Sequence, residues 1–191
     1  MYMPRFLGMN INFDRKDKTV QIEMNEAVQK VIDEFEKESG ETLGDQVSSP
    51  SNHFLFKVDT TSLDLGRKRS EIFHSTTAKL LYLMKRARPD LETTVSFLMK
   101  RVTKSTEEDW GKLKRVLEFM KKTKTDTRTI GAKSLSQIFN FIDASHAVHQ
   151  NMRSNTGGLI TMGIGITHRK SSSQGINSKS TTESELIGVS E

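Results

Sequence analysis

The apolar positions of the chain follow two different periods, and the change between them divides the sequence. Near the start, apolar and polar residues alternate in "FLGMNINF" and "TVQIEM". This pattern predicts two strands of a β-hairpin joined by the polar "DRKDK". After the hairpin, most apolar positions recur every three to four residues, which indicates amphipathic helices. Alternation returns after "KTKTDTRTIGAKS", so a second segment rich in strands is expected there.

Apolar stripes predict four helices in the middle of the chain. The first begins at Asn25, whose side chain can cap it, and ends near Ser39 and Gly40. The second covers roughly 72–87, and Pro89 ends it and opens the third. Ser105 and Glu108 have the spacing of a capping box and begin the fourth. The stripes consist of Val28, Val31, Ile32 and Phe35; Phe73, Leu80, Met84 and Ala87; Leu91, Val95, Leu98 and Val102; and Trp110, Leu113, Leu117 and Met120.

Periodicity fails between residues 41 and 69, where Ser, Asp, Gly and Pro accumulate. We expect a mobile surface connection there, with "HFLFKV" as its one candidate strand.

The last third of the chain predicts three strands and a helix. The strands are "SQIFNFID", "GLITMGIGITH" and, more weakly, "SSQGINSKS". Ser180 and Glu183 again have capping-box spacing, so we expect Glu183 to hydrogen bond to the backbone at Ser180. The helix that follows has about three turns before the sequence ends. Our expectation is that the sequence stops inside a domain.

Composition narrows the range of functions. The chain has 191 residues, a net charge of +5 and no cysteine, which excludes disulfides and cysteine chemistry. It contains neither an apolar run long enough to span a bilayer nor a secretion signal. We therefore expect an intracellular protein that does not associate with a membrane.

The positive charge is concentrated in one segment. Between Lys79 and Lys124 there are thirteen Lys or Arg and six Asp or Glu. A nucleic-acid contact and an ordinary solvated helix face are both consistent with this excess. The candidate phosphate contacts are Lys100, Arg101, Lys112, Lys114, Arg115, Lys121 and Lys122.

An acid at the end of a predicted strand is the first candidate for chemistry. A period of two places Asp143 on the same face as Phe139 and Phe141, which we expect to be buried. A strand–strand–strand–helix order can bring Glu185 to the end of that strand. Two facing carboxylates repel one another, and a divalent cation removes the conflict; oxygen ligands favour Mg²⁺ or Mn²⁺. The spacing alone also leaves a structural role open for both acids.

Two histidines that follow Asp143 raise the alternative of a zinc site. His146 and His149 have the spacing of one helical turn, but they follow a strand and lack a second cluster of ligands. We therefore interpret them as turn or surface residues.

Six stretches, taken together and in order, resemble the Pol polyprotein of copia-type long-terminal-repeat retrotransposons. They are "FLGMNI", "FHSTTAKLLYLMKRARPDL", "LKRVLEFMKKT", "FIDASHAVH", "MRSNTGG" and "SKSTTESELIGV". In that family this order runs from the end of reverse transcriptase into ribonuclease H. The poorest match is the connection at 40–68.

The resemblance implies a layout for the whole chain. Residues 1–24 would be the end of the polymerase palm with a primer-grip-like hairpin, 25–125 the thumb and connection helices, and 126–191 the first half of a ribonuclease H-like domain. The implied fold class is α+β, ending in a partial ribonuclease H-like fold of three antiparallel strands and the start of a helix. Asp143 and Glu185 fall on the first two metal-binding carboxylates of that fold.

The resemblance also implies activities, partners and a location. The parent reactions are RNA-directed DNA synthesis and Mg²⁺- or Mn²⁺-dependent cleavage of RNA in an RNA–DNA hybrid. The partners would be a hybrid or template–primer duplex and the rest of the polyprotein, in cytoplasmic virus-like particles or the nucleus.

The sequence departs from the family in several places. It has no polymerase Asp-Asp motif, and the further ribonuclease H carboxylates would follow Glu191. Asn155 replaces the usual His before "TGG", and "SSSQGINSK" replaces a stretch that usually contains Lys. We therefore expect a drifting fragment, inactive alone. The alternatives are a non-catalytic basic module that binds nucleic acid and the product of a decayed reading frame.

Overall fold

The computed structural model describes residues 5–190. It contains eight strands: β1 (Arg5–Phe6), β2 (Met9–Asp14), β3 (Thr19–Glu23), β4 (Arg128–Ala132), β5 (Phe139–Ser145), β6 (Asn155–Thr161), β7 (Gly163–Ile164) and β8 (His168–Ser173). The five α-helices are α1 (Asn25–Ser39), α2 (Arg67–Arg86), α3 (Glu92–Met99), α4 (Glu107–Lys122) and α5 (Thr181–Ser190). The sheets are antiparallel, and the predicted α+β class is confirmed.

The hairpin from Met9 onward and the first helix agree with the sequence pattern. The predicted strand "FLGMNINF" is divided, because the chain turns at Leu7 and Gly8 and Phe6 pairs back with Met9 as part of β1. Strands β2 and β3 pair with Asn10 opposite Glu23, and α1 ends at Gly40, whose φ of 76° is the left-handed conformation that glycine favours. The predicted cap is wrong. Met24 is the N-terminal cap residue, and the Asn25 side chain donates to Glu23 instead.

Helices α1–α4 enclose one hydrophobic core, and the predicted stripes supply most of it. Helix α2 begins at Arg67, five residues before the predicted start. Pro89 opens a 3₁₀ turn over Pro89–Leu91 that leads into α3. The capping box of α4 is shifted by one residue, because Thr106 and Asp109 form it in place of Ser105 and Glu108.

The connection between α1 and α2 is not a loose surface loop. It has no strand at "HFLFKV", where the chain forms turns, so that prediction is wrong. Leu43, Leu55 and Leu65 are buried against the helices. Near its end, the backbone N–H of Leu65 donates to Ser105 at 2.9 Å. Burial of leucines at three separate points holds the connection on the helical core.

A five-stranded sheet, in the order β1-β2-β3-β4-β7, combines the two ends of the chain. Strand β4 lies in a stretch that the sequence analysis treated as a polar connection, and it pairs with β3. The predicted strand "GLITMGIGITH" is interrupted after Thr161, because Gly163 has a φ of 108° and Gly165 a φ of 64°. The sheet therefore contains strands from both 1–24 and 126–191.

The second sheet has the order β5-β6-β8, with α5 packed against β5. Its three antiparallel strands and following helix match the predicted order. The predicted position of the third strand is wrong: "SSQGINSKS" spans 172–180, whereas β8 covers His168–Ser173. Beyond Ser173 the chain leaves the sheet, and the side chain of Gln174 is buried. Ser180 caps α5 as predicted, accepting from the Glu183 N–H at 3.2 Å. The Glu183 carboxylate, however, accepts from the N–H of Lys179 and not from Ser180.

Two arginines join the strands to the helices: Arg128 of the five-stranded sheet and Arg169 of the second sheet. Arg128 donates to the carbonyl of Arg86 at 2.6 Å and to those of Ile166 and Thr167 at 2.9 Å. Arg169 donates to the carbonyl of Pro89 at 3.0 Å. Burial lowers the pKa of the Arg128 guanidinium. None of the helices within 5–190 is both long and apolar enough to cross a membrane.

Candidate carboxylate site and basic surface

Asp143 lies near the end of β5, on an edge strand whose one neighbour is β6. It shares a face with Phe139 and Phe141, as alternation predicts. That face is not buried: the phenylalanines are 42% and 57% exposed, and Asp143 is also exposed. The expected cost of placing the carboxylate among buried aromatic rings therefore does not arise.

Glu185 reaches the same strand from helix α5. Its Oε1 accepts a hydrogen bond from the backbone N–H of Ala144 at 3.3 Å. The helix covers the other face of β5, since a Cβ added to Gly188 would lie 3.5 Å from Ile142 Cγ2. Asp143 and Ile142 point to opposite faces. Glu185 thus meets the strand at its free edge, beside the residue that follows Asp143.

A network of buried hydroxyls holds α5 in this position. The Ser184 hydroxyl is fully buried and lies 2.6 Å from that of Ser178, 3.0 Å from that of Ser154 and 2.9 Å from His146 Nδ1. Gln174 Nε2 donates to the carbonyl of Ser184 at 2.7 Å. These contacts fix the turn of helix that carries Glu185.

The sequence pattern does not predict the network, because isolated serines carry no periodic signal. His146 lies in the turn after β5, as predicted, and is also a partly buried member of the network. His149 is also partly buried, with its Nε2 3.2 Å from Asn155 Oδ1. Burial and the positive charge of Lys100 lower the pKa of His149, and the hydrogen bond that Asn155 Oδ1 accepts from the ring opposes this shift.

The donor set at the strand end matches Mg²⁺ in kind but not in number. Carboxylate oxygens are suitable ligands. Residues 5–190 nevertheless contain no group of three or more His, Asp or Glu side chains placed to hold a metal ion. Asp143 and Glu185 together are therefore an incomplete site.

Most of the candidate phosphate contacts are held by partners within the protein. Arg101 pairs with the fully buried Asp109 at 3.1 Å, and Arg115 donates to the Ser49 hydroxyl at 3.3 Å. The three remaining pairs are Lys112 with Glu108 at 3.0 Å, Lys114 with Glu41 at 2.7 Å and Lys121 with Glu36 at 2.9 Å. A neutralised cation attracts phosphate less than a free one.

Several of these contacts fasten the connection that follows α1. Glu41 accepts from Lys114 and Arg69, and also from the indole N–H of Trp110 at 3.0 Å. These partners hold the pKa of Glu41 below its ordinary value, Lys114 being the main cause. Lys112 also donates to the carbonyl of Lys57. The sequence showed the excess of positive charge. It did not show that these basic residues hold the 41–66 segment against the helices.

Two of the candidate cations differ from the others. Lys100 and Lys122 are exposed, and no ion pair holds either of them within the described part of the chain. Although Lys100 is exposed as a residue, protein around its ammonium group lowers its pKa, and the like charge of Arg153 adds to the effect. Lys100 is therefore a cation among positive neighbours.

The fold and the site together define an α+β protein with two acids at the end of an edge strand and a helical half bound together by ion pairs. No protein-family model matches the chain, and no solved structure matches it. It is similar to the secreted RxLR effector protein 161 of Plasmopara viticola, at 29% identity over 118 residues, which cover 61% of this chain and 83% of that protein.

Proposed function

We propose that the chain corresponds to the part of a copia-type retrotransposon Pol polyprotein in which reverse transcriptase runs into ribonuclease H. One support is the resemblance of six stretches in the family's order. The observation that carries the proposal is the hydrogen bond from the Ala144 N–H to Glu185, which joins residues 41 positions apart. This contact brings an acid of α5 to the strand that contains Asp143. The packing of a helix on a sheet does not by itself require such a contact.

In this proposal the region from 126 onward is the beginning of a ribonuclease H-like domain. The carboxylates of Asp143 and Glu185 would contribute to binding Mg²⁺ or Mn²⁺, which activates water for cleavage of the RNA strand in the parent enzyme. Because the site formed by these two acids is incomplete, the chain by itself is expected neither to cleave a hybrid nor to extend a primer. Its own contribution is to bind and position nucleic acid.

The helical half would contact phosphates without reading sequence. The ion pairs change which residues can do this. Lys100 and Lys122 are available, whereas Lys112, Lys114 and Lys121 must first leave a carboxylate. We therefore expect modest affinity for a duplex, decreasing as salt concentration rises.

A test combines cleavage and metal binding. Purified protein incubated with an RNA–DNA hybrid and Mg²⁺ should leave the hybrid intact, and cleavage that Asp143→Asn abolishes would overturn the proposed inactivity. In NMR spectra, Mn²⁺ should broaden the amide signals near Ala144, and Asp143→Asn or Glu185→Gln should reduce the broadening. Glu38→Gln, at an exposed position of α1, is the control for non-specific binding. Equal broadening in all variants would contradict the metal role.

The second candidate function is a non-catalytic module that binds nucleic acid. Lys100 favours it, because this lysine has no ion-pair partner among residues 5–190 and its contact with a phosphate would not depend on Asp143 or Glu185. Salt-dependent binding to a hybrid with no effect of Asp143→Asn on Mn²⁺ broadening would support this alternative. The similarity to the oomycete effector adds no activity to either proposal, since the name of that protein states no ligand or substrate.

A further inference from the structure

A cleft of about 360 Å³ lies between α3 and the loop that joins β5 to β6. Lys100 and Arg101 line it from the helix side, and His149, Gln150 and Asn151 line it from the loop. The helical half and the second sheet thus both contribute to the cleft. None of its lining residues belongs to the carboxylate pair.

The charge of the cleft is positive and largely unopposed. No Asp or Glu is among its described lining residues. Arg101 is held by Asp109, but Lys100 has no ion-pair partner among residues 5–190 and is repelled by Arg153. Most lysines and arginines of α4 have partners, whereas Lys100 in this cleft has none among residues 5–190.

The loop is built so that its groups converge on the cleft. The backbone N–H of His149 donates to the carbonyl of Arg153 at 3.1 Å, and that of Met152 donates to His149 at 2.8 Å. Met152 adopts a φ of 60°, an uncommon value for a residue other than glycine. This tight turn places Gln150 and Asn151 in the lining of the cleft, and the positive charge of Arg153, which follows them, acts on Lys100 from outside the lining.

An aromatic wall limits the space beside these groups. The ring of Phe56 lies edge-on to those of His149 and Phe97, with centroid separations of 4.8 and 5.9 Å. Lys112 Nζ lies 4.8 Å from the centre of the Phe97 ring. The wall lines one side of the cleft with apolar surface, and an electrostatic contact is stronger beside such surface than in bulk water.

We propose that this cleft binds a phosphate group, with Lys100 as the main cationic contact and the side-chain amides of Gln150 and Asn151 as hydrogen-bond donors. Amide and ammonium donors are common ligands of phosphate oxygens. Two sources offer the same chemistry: the phosphodiester backbone of a nucleic acid, and free phosphate or a small phosphorylated compound. The first source rests on the proposed function, whereas the site itself does not.

The test uses two probes and a matched pair of variants. Inorganic phosphate and a short RNA–DNA hybrid are titrated separately into the full chain, and the ring signals of His149 are followed by NMR at constant pH and ionic strength. Lys100→Gln should weaken binding of inorganic phosphate about tenfold, the effect of losing one charge-assisted contact. Lys68→Gln, at an exposed position in the first turn of α2, should leave it unchanged.

The outcomes separate the cleft from the proposed function. Equal phosphate affinity in the two variants would refute the proposal that the cleft binds phosphate. So would the absence of any response of His149 to phosphate in the unmodified protein. If phosphate binding depends on Lys100 but hybrid binding is not weakened by Lys100→Gln, the cleft binds free phosphate or a small phosphorylated compound, and the nucleic-acid function stays in place with its contacts elsewhere. Phosphate binding that depends on Lys100, without any binding of the hybrid, would support the cleft and count against the nucleic-acid function. A thermal melt of each variant verifies that it is folded.

Discussion

The turn that separates β6 from β8 depends on Gly165, and replacing it tests the two-sheet arrangement. Gly165 has a φ of 64°, and a Cβ added there would lie 1.8 Å from the Thr129 carbonyl oxygen in β4. A left-handed conformation costs about 1–2 kcal/mol for a residue other than glycine. Overpacking adds about 1–3 kcal/mol, because backbone must move. Gly165→Ala should therefore lower the free energy of unfolding by about 2–5 kcal/mol.

That loss is large against the roughly 5–15 kcal/mol by which a natural protein is stable. At about 3 kcal/mol it corresponds to a fall in melting temperature of roughly 10 °C for a chain of this size. Far-UV circular dichroism reports the whole fold, and the fluorescence of Trp110 reports the helical core in which it is buried. Coincident transitions by the two probes would show that the sheets and the helices unfold together.

Gly175→Ala is the matched control. An added Cβ there meets nothing within 4 Å. We expect the change to alter stability by less than about 0.5 kcal/mol. If Gly165→Ala proved as stable as the control, residue 165 could not lie so close to the Thr129 carbonyl. The path of the chain from one sheet to the other would then be wrong.

Three further changes test the helical half and the cleft. Gly111→Ala, at an exposed position of α4 where a Cβ meets nothing, should raise the free energy of unfolding by about 1 kcal/mol in a urea titration; a decrease would mean that the position is not helical. Glu41→Ala should lower it by about 1–3 kcal/mol, because the buried indole N–H of Trp110 loses its acceptor, whereas Glu38→Ala should be nearly neutral in the same titration. The protein should lose stability as the pH falls below about 6.5, since the lowered pKa of His149 means that the unfolded chain takes up the proton first. His149→Gln should reduce the difference in stability between pH 7.5 and pH 5.5, and an unchanged difference would show that His149 titrates normally.

Local patterns predicted much of the helical half. The stripes of α1 to α4 became the core because helical periodicity and burial are linked over single turns. The errors there are small shifts, such as the cap of α4 moving from Ser105 to Thr106. Capping depends on which neighbouring hydroxyl faces the helix end, and the spacing rule fits several starting points.

The candidate site was predictable only in part. Alternation correctly placed Asp143 with Phe139 and Phe141, yet it could not determine which face of β5 would be covered. That depends on α5, whose Gly188 permits close packing against Ile142. The hydroxyl network around Ser184 likewise depends on groups that are distant in sequence. So does the fact that Lys100 has no ion-pair partner within residues 5–190.

The sequence by itself determined the helices, most of the first hairpin and the order, though not the bounds, of the last three strands and the helix, because each of these reflects contacts within a few residues. Only the tertiary structure decided that β4 joins the sheet of the first hairpin and that four of the seven candidate basic residues pair with carboxylates. Lys121 and Glu36, for example, lie 85 positions apart. Pairings over such separations depend on where the elements pack, and no local period of apolar or charged residues contains that information.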